Sequence, residues 1–213
     1  MNHNAITNNM IDRLREEVGN VLSPKRFEHT LGVERMVVRI CQALGNGDLL
    51  KLRAAALLHD ITKEYSFEKQ LKICDKFGII LRADEINSPT VIHAITAAAI
   101  IPIEYPDFND DEIISCVRWH TTGKPDMTLS EKIICLADYI EDGRCYNVCV
   151  SLRNMFFNRI GACVDWSDKL NLLDSVLLSS FENTVHYISQ QGNVVNKDTL
   201  NTISSLTNKA FID

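Results

Sequence analysis

The stretch Leu57-Leu58-His59-Asp60 closes an apolar segment whose spacing predicts a helix over residues 48–60. Histidine and aspartate side by side at the end of a buried helix are unusual in a purely structural core. An unpaired carboxylate in that environment costs free energy, so Asp60 requires a partner or a metal ion. We therefore expect other elements of the fold to bring polar side chains to His59 and Asp60.

Four further predicted helices each carry one polar side chain on an apolar face. His29, His93 and His120 occupy such positions, and so does Asp138. Alone, each histidine is more typical of a hydrogen-bonded core residue, and each aspartate of a helix cap or a solvated surface. Together they would leave a concentrated polar cluster inside the core, and metal coordination would satisfy all of its members.

The types and number of these side chains limit the metal site. Imidazole and carboxylate ligands suit iron, manganese, zinc, cobalt or nickel. Six ligands exceed the four of a closed tetrahedral zinc site, but they fit two metals bridged by one carboxylate. The expected ligands are His29, His59, Asp60, His93, His120 and Asp138. The remaining histidines, His3 and His186, are not assigned to the site.

Helical periodicity recurs along the chain, whereas strand patterns are nearly absent. Ser23-Pro24 predicts a helix start, and Thr128 with Glu131 predicts a capping box. We predict an all-α bundle with a buried dinuclear metal site. Helices are expected near 24–44, 48–60, 66–78, 91–101, 110–120, 129–142, 146–160, 168–190 and 197–210, with loops at 87–89, 102–106 and 121–125. One domain is expected, comprising an N-terminal tail and first helix (1–20), a metal-binding core (21–145) and C-terminal helices that pack on it (146–213).

The composition excludes several classes of protein. The 213 residues carry 28 acidic and 22 basic side chains, a net charge of -6 that disfavours broad nucleic-acid binding. Seven cysteines without CxxC spacing are typical of buried thiols in a reducing compartment. Neither a secretory signal nor a membrane span is evident, so a cytoplasmic location is expected. The apolar stripe of residues 170–178 either completes the core or forms a homodimer interface.

The ordered ligand set resembles the signature of the HD-domain metal-dependent phosphohydrolases. The sequence motifs around these residues narrow the resemblance to the YqeK-type family, which contains bacterial symmetrical bis(5′-nucleosyl)-tetraphosphatases. These motifs are KRFEHTLGV at 25–33, HDITK at 59–63, HTTG at 120–123 and LADYIE at 136–141. The resemblance runs from about residue 10 to about residue 210. It implies an all-helical HD fold, a di-iron centre and hydrolysis of diadenosine tetraphosphate to two ADP.

A mechanism follows as a hypothesis. One metal would be bound by His29, His59, Asp60 and Asp138. The second would be bound by His93 and His120, with Asp60 bridging. Two metals roughly 3.5–4 Å apart can hold a hydroxide between them and lower its pKa. That hydroxide would attack a phosphorus of the polyphosphate chain, and ADP would leave.

Cationic side chains should meet the phosphates. Arg26 and Lys63 lie three residues from ligands and are assigned, with Asp60, to catalysis. The residues expected to bind substrate are Arg26, Lys63, Thr121, Thr122, Lys124 and Arg144. For the two lysines, the alternative is a solvated surface charge. Glu64 and Glu141 either accept imidazole N–H groups or are ordinary solvated carboxylates.

Other functions remain open on the sequence alone. The same site would suit a phosphohydrolase of a mononucleotide or a deoxynucleoside triphosphate, and a nucleotide-binding regulatory module without turnover is a third hypothesis. No membrane or nucleic-acid partner is expected, and the substrate is a small dinucleoside polyphosphate or nucleotide. The base pocket is not assigned: the aromatic candidates are either stacking surfaces or core residues, namely Tyr65, Tyr105, Trp119, Tyr139 and Tyr146.

Overall fold

The computed structural model describes residues 5–209, and every regular element within that range is helical. The all-α prediction is therefore confirmed, while His3 lies outside the described residues. The helices are α1 (Asn8–Val21), α2 (Pro24–Leu44), α3 (Leu49–Leu58), α4 (Phe67–Lys76), α5 (Ala83–Ile86), α6 (Ile92–Glu104), α7 (Asp111–Trp119), α8 (Leu129–Ile140), α9 (Asn147–Ile160), α10 (Trp166–Gln190) and α11 (Lys197–Lys209). Two 3₁₀ turns cover Pro89–Val91 and Pro106–Phe108. None of these helices is long and apolar enough to cross a membrane.

The predicted helix starts are confirmed at both capped positions. The Ser23 hydroxyl accepts the amide of Arg26 at 3.3 Å, with Pro24 as the first residue of α2. At α8, Thr128 accepts the amide of Glu131, and the Glu131 carboxylate accepts the amide of Thr128 at 2.8 Å. Each cap satisfies helix N–H groups that have no partner within the helix, and so fixes where the helix begins.

Several helices end earlier than the periodicity predicts, and two of them, α3 and α7, end at candidate ligands. α3 ends at Leu58 and α7 at Trp119, so His59 and His120 become the residues that cap them. Residues 59–64 form successive turns, in which the amide of Lys63 donates to the carbonyl of Asp60 at 2.9 Å. Tight turns, and not a continuation of α3, therefore place Lys63 beside the candidate ligands.

The predicted loop at 102–106 is also wrong in part. α6 continues through Pro102 to Glu104. A proline removes one hydrogen bond from a helix, but Pro102 lies in the last turn, and the amide of Tyr105 still closes on Ile101 at 2.9 Å. α5 was not predicted, because four residues are too few to show a helical period.

One continuous buried apolar cluster joins helices α1 to α3 and α6 to α11. It includes Leu14 in α1, Val37 in α2, Leu177 in α10 and Leu206 in α11. Helix α10 packs against α8 and α9, so the C-terminal third covers one side of the helices that carry the expected ligands. The apolar stripe at 170–178 contributes to this core, as shown by its buried members Leu172, Leu173, Val176 and Leu177. The domain boundaries at 20 and 145, and the homodimer, stay predictions.

Candidate metal centre

Six predicted ligands converge from five helices. His29 lies in the middle of α2, His59 and Asp60 follow α3, and His93 lies in the first turn of α6. The remaining two come from α7 and α8: His120 caps the first, and Asp138 lies in the last turn of the second. Four of them are buried almost completely, and the side chains of His29 and Asp138 are 13% and 20% exposed. The cluster is therefore closed to bulk water except on one side.

Asp60 lies between two groups of histidines. Its Oδ2 is 3.7 Å from Nε2 of His29 and 3.4 Å from Nε2 of His59. Its Oδ1 is 3.0 Å from Nε2 of His93 and 3.6 Å from Nε2 of His120. One carboxylate thus presents one oxygen to each group, as a bridge between two metals requires.

Asp138 completes the first group. Its Oδ1 lies 3.0 Å from Nε2 of His29 and 4.0 Å from Nε2 of His59. Ligand atoms of these three residues lie within 4.8 Å of one another, and so do those of His59, Asp60 and His120. Each set is small enough to hold one metal ion, and His59 belongs to both sets.

Backbone carbonyls set the orientation of three imidazoles. Nδ1 of His59, His93 and His120 lies 2.7 Å from the carbonyl oxygen three residues earlier in each case. A carbonyl can only accept, so each Nδ1 donates its hydrogen. For His59 and His120 that carbonyl is left free by a helix end. Each Nε2 in the neutral ring therefore directs a lone pair at the centre, which is the tautomer that binds metals.

The centre fits a bound cation. Nε2 of His93 and Nε2 of His120 lie 3.1 Å apart, and two lone pairs at that distance repel unless a proton or a metal ion lies between them. Nε2 of His29 and His59 and Oδ1 of Asp60 are buried without a hydrogen bond. Buried polar atoms are costly without a partner, and a divalent metal with nitrogen and oxygen ligands supplies it.

The local charges favour ionised carboxylates at the centre. Burial alone would raise the pKa of Asp60, but the neighbouring histidines hold it well below its usual range. Burial also opposes the charge on Asp138, and Arg144 with His29 lowers its pKa well below the ordinary value. Burial and the Lys63 ammonium lower the pKa of His93 to about 4. The site thus offers anionic carboxylates and a neutral His93, the forms that bind metals.

Three of the predicted cationic or hydroxyl-bearing groups border the centre directly. Arg26 donates to Oδ2 of Asp60 at 2.8 Å, and Arg144 donates to Oδ1 of Asp138 at 2.7 Å. The Thr121 hydroxyl lies 3.0 Å from Nε2 of His120. These side chains therefore surround the metal ligands on the open side.

Lys63 also reaches the centre, with its ammonium nitrogen 3.3 Å from Nε2 of His93. Burial lowers the pKa of Lys63, and the carboxylate of Asp60 opposes this shift. The residues above open into a cavity of about 270 Å³. The cavity is lined by Arg26, Asp60, Lys63, His120, Thr121, Cys135, Asp138, Tyr139, Arg144, Ser180, Phe181 and Thr184.

Two predicted substrate-binding residues face elsewhere. The Lys124 ammonium pairs with Glu131 at 2.8 Å and does not line the cavity. Thr122 is buried, its hydroxyl donating to the carbonyl of Gly123 at 3.0 Å. The structure does not bring these two side chains to the cavity, because a buried carboxylate on α8 attracts the lysine and the loop turns the threonine inward.

The two carboxylates near the ligands have different roles. Glu141 is buried, and its Oε1 lies 3.2 Å from Nδ1 of His29, so it is an imidazole partner. Glu64 is exposed and accepts a hydrogen bond from the amide of Ser23 at 2.8 Å. Ser23 is the residue that caps α2. Of the aromatic candidates for a base pocket, Tyr139 lines the cavity, whereas Tyr105 belongs to the core.

Helix α10 contributes a wall that sequence reasoning missed. Ser180, Phe181 and Thr184 lie on one face of α10 and line the cavity together with Arg26 and Lys63. Residues four apart on a helix share a face, but no pattern in α10 distinguishes a core face from a cavity wall. The wall arises from tertiary packing of α10 on α8.

The fold and the site define an all-α protein with a buried histidine and aspartate cluster that fits divalent metals. A family model for the HD domain matches residues 26–143, and the chain belongs to that family. The match contains all six candidate ligands and ends before helix α9. The predicted resemblance is thereby confirmed.

Curated bacterial relatives and a solved structure extend the similarity to most of the chain. A protein of Staphylococcus aureus named "Bis(5′-nucleosyl)-tetraphosphatase, symmetrical" is 27% identical, covering 91% of this chain and 93% of its own. A protein of Halalkalibacterium halodurans with the same name is 30% identical, covering 87% and 90%. A crystal structure from Clostridium acetobutylicum, described as a predicted HD superfamily hydrolase involved in NAD metabolism, is 30% identical with a TM-score of 0.81, covering 93% and 97%.

Proposed function

We propose that this protein hydrolyses diadenosine tetraphosphate symmetrically to two molecules of ADP. The observation that carries the proposal is one carboxylate, Asp60, shared by two groups of imidazole ligands beside a cationic cavity. The names of the relatives that match about nine tenths of the chain support the substrate. The substrate is then a small nucleotide free in the cytoplasm, and neither nucleic acid nor membrane takes part.

Two divalent metal ions fit the ligand set, with iron the first choice and manganese, cobalt, nickel or zinc as alternatives. Such ions supply a water of lowered pKa and neutralise charge on the phosphates. One ion would be held by His29, His59 and Asp138. The other would be held by His93 and His120, and Asp60 would contact both ions. The ligand rings are oriented before any metal binds, since their Nδ1 atoms are fixed by hydrogen bonds.

The cationic residues bind and orient the polyphosphate. The cavity of about 270 Å³ is small for a dinucleoside tetraphosphate, so the phosphates enter it and the nucleosides stay outside. Arg26, Lys63 and Arg144 then donate hydrogen bonds to phosphate oxygens, and charge-assisted bonds of this kind are the strong ones. Water adds to the second phosphorus from one nucleoside, the central P–O bond breaks, and ADP leaves as the second ADP forms.

Product identity tests the proposal. Protein purified without oxygen and supplied with ferrous iron should convert diadenosine tetraphosphate to ADP alone, as measured by chromatography of the products. AMP together with ATP would show asymmetric cleavage and refute the assignment. A panel of mononucleotides and deoxynucleoside triphosphates tests the alternative substrates. Metal binding without any turnover would favour the regulatory module.

Replacing Arg26 by Ala should lower kcat/KM by about 100-fold or more, a loss typical of groups that stabilise transition-state charge. Arg26 lies beside the ligands but is not one, so metal content should stay at the wild-type level. Steady-state kinetics and elemental analysis measure the two quantities. Arg35→Ala is the matched control on the same helix, because Arg35 is exposed and pairs with Glu28 at 3.0 Å. Equal kinetics for both variants would contradict the role of Arg26.

A further inference from the structure

His29 differs from the other three histidines in the group that holds its Nδ1. His59, His93 and His120 donate to carbonyls of their own chain segment. His29 lies inside α2, where the backbone carbonyls are already used by the helix. Its Nδ1 therefore needs an acceptor from another element, and Oε1 of Glu141 lies 3.2 Å away.

The Glu141 carboxylate is fixed on both of its oxygens. Oε2 accepts the amide of Gly143 at 2.6 Å, while Oε1 faces His29. The side chain is only 4% exposed. The turn that carries it is held by Arg153, which donates to the carbonyls of Ile140 and Glu141. Glu141 is thus a rigid acceptor rather than a solvated carboxylate.

Gly32 makes room for this contact. A Cβ at Gly32 would collide with Oε2 of Glu141. Gly32 is buried within α2, where glycine is less stable than alanine. The missing side chain therefore lets the carboxylate approach His29, which lies three residues earlier on the same helix.

We infer that Glu141 is a positioning residue for one of the two metal positions, and that Gly32 is the small residue that admits it. Glu141 fixes the tautomer of His29, directs its Nε2 at the metal and strengthens it as a ligand. The inference rests on the metal centre of the proposed function. Glu141 touches the group of His29, and the described contacts of His93 and His120 do not include it.

Glu141→Gln tests the inference. A carboxamide has one acceptor oxygen, so it can satisfy either Gly143 or His29 but not both. We expect metal affinity at the position of His29 to fall about 10- to 100-fold. Affinity at the position of His93 and His120 should not change. Titration of the metal-free protein with ferrous iron or manganese against a chromophoric chelator resolves the two affinities without substrate.

Gly32→Ala provides an independent variant, and it should weaken the same position by displacing the Glu141 carboxylate. Glu131→Gln is the matched control, because Glu131 is a buried carboxylate of α8 that pairs with Lys124 and touches none of the ligands. It should keep both affinities even if the melting temperature falls.

Wild-type affinities at both positions in Glu141→Gln, or equal losses at both, would overturn the inference. A wild-type protein that binds metal but hydrolyses nothing would refute the proposed function alone, since the titration needs no turnover. A wild-type protein that binds no metal would refute both.

Discussion

Replacing Asp60 by Asn should abolish high-affinity metal binding and lower hydrolysis by more than about 100-fold. Loss of residues that merely support a ligand already costs about 10- to 100-fold, and Asp60 is shared by both metal positions. An amide keeps one acceptor oxygen, and its NH₂ group must face either the histidines or the guanidinium of Arg26. Elemental analysis and steady-state kinetics of the purified variant measure the two losses.

Asp84→Asn is the matched control for this substitution. Asp84 is a poorly exposed carboxylate that pairs with Arg82 and accepts the amide of Lys197 at 3.1 Å, with no predicted ligand among its partners. It should retain metal and activity. If Asp60→Asn kept wild-type metal content, the bridging role of Asp60 would be disproved.

Metal should also stabilise the fold strongly. A ligand at 100 times its dissociation constant adds about 2.7 kcal/mol to the free energy of unfolding, provided that only the folded state binds it. For a chain of this size, that corresponds to a melting temperature about 5–10 °C higher. One contribution is relief of the repulsion between the facing Nε2 lone pairs of His93 and His120, which lie 3.1 Å apart.

Differential scanning calorimetry with and without a chelator measures this shift. The Asp60→Asn variant is the control, and its melting temperature should be insensitive to metal. An equal shift in the variant would trace the stabilisation to another part of the chain. If the melting temperature of the wild-type protein were the same with and without the chelator, metal binding at the centre would be contradicted.

The convergence of the six candidate ligands could be predicted from the sequence because each interrupts an apolar face. A histidine on a buried stripe is visible wherever the helical period is clear, as at His29 in α2 and His120 in α7. The adjacent pair His59-Asp60 then supplied an imidazole and a carboxylate, the ligand types that suit such a metal site. Helix caps such as Thr128 with Glu131 were equally visible, because their interactions span three residues.

The cationic surroundings were harder to predict, because they depend on contacts between distant segments. Glu131 serves the cap of α8 with one oxygen, and its other oxygen takes Lys124, which sequence reasoning had assigned to the substrate. Helix ends were also misjudged by one or two residues, and those ends decide where Lys63 lies. The carboxylate that holds His29 was only one of two candidates, Glu64 and Glu141, until their partners were known.

The cavity wall formed by α10 lies on a different part of the chain from the candidate ligands. Residues 26–143 match the HD domain and contain the six candidate ligands, whereas Ser180, Phe181 and Thr184 lie outside that match and line the cavity. Mutations in α10 can therefore alter which molecules are admitted while leaving the chemistry intact. We therefore expect diversification of α10 to change which molecules enter the cavity while the six candidate ligands stay in place.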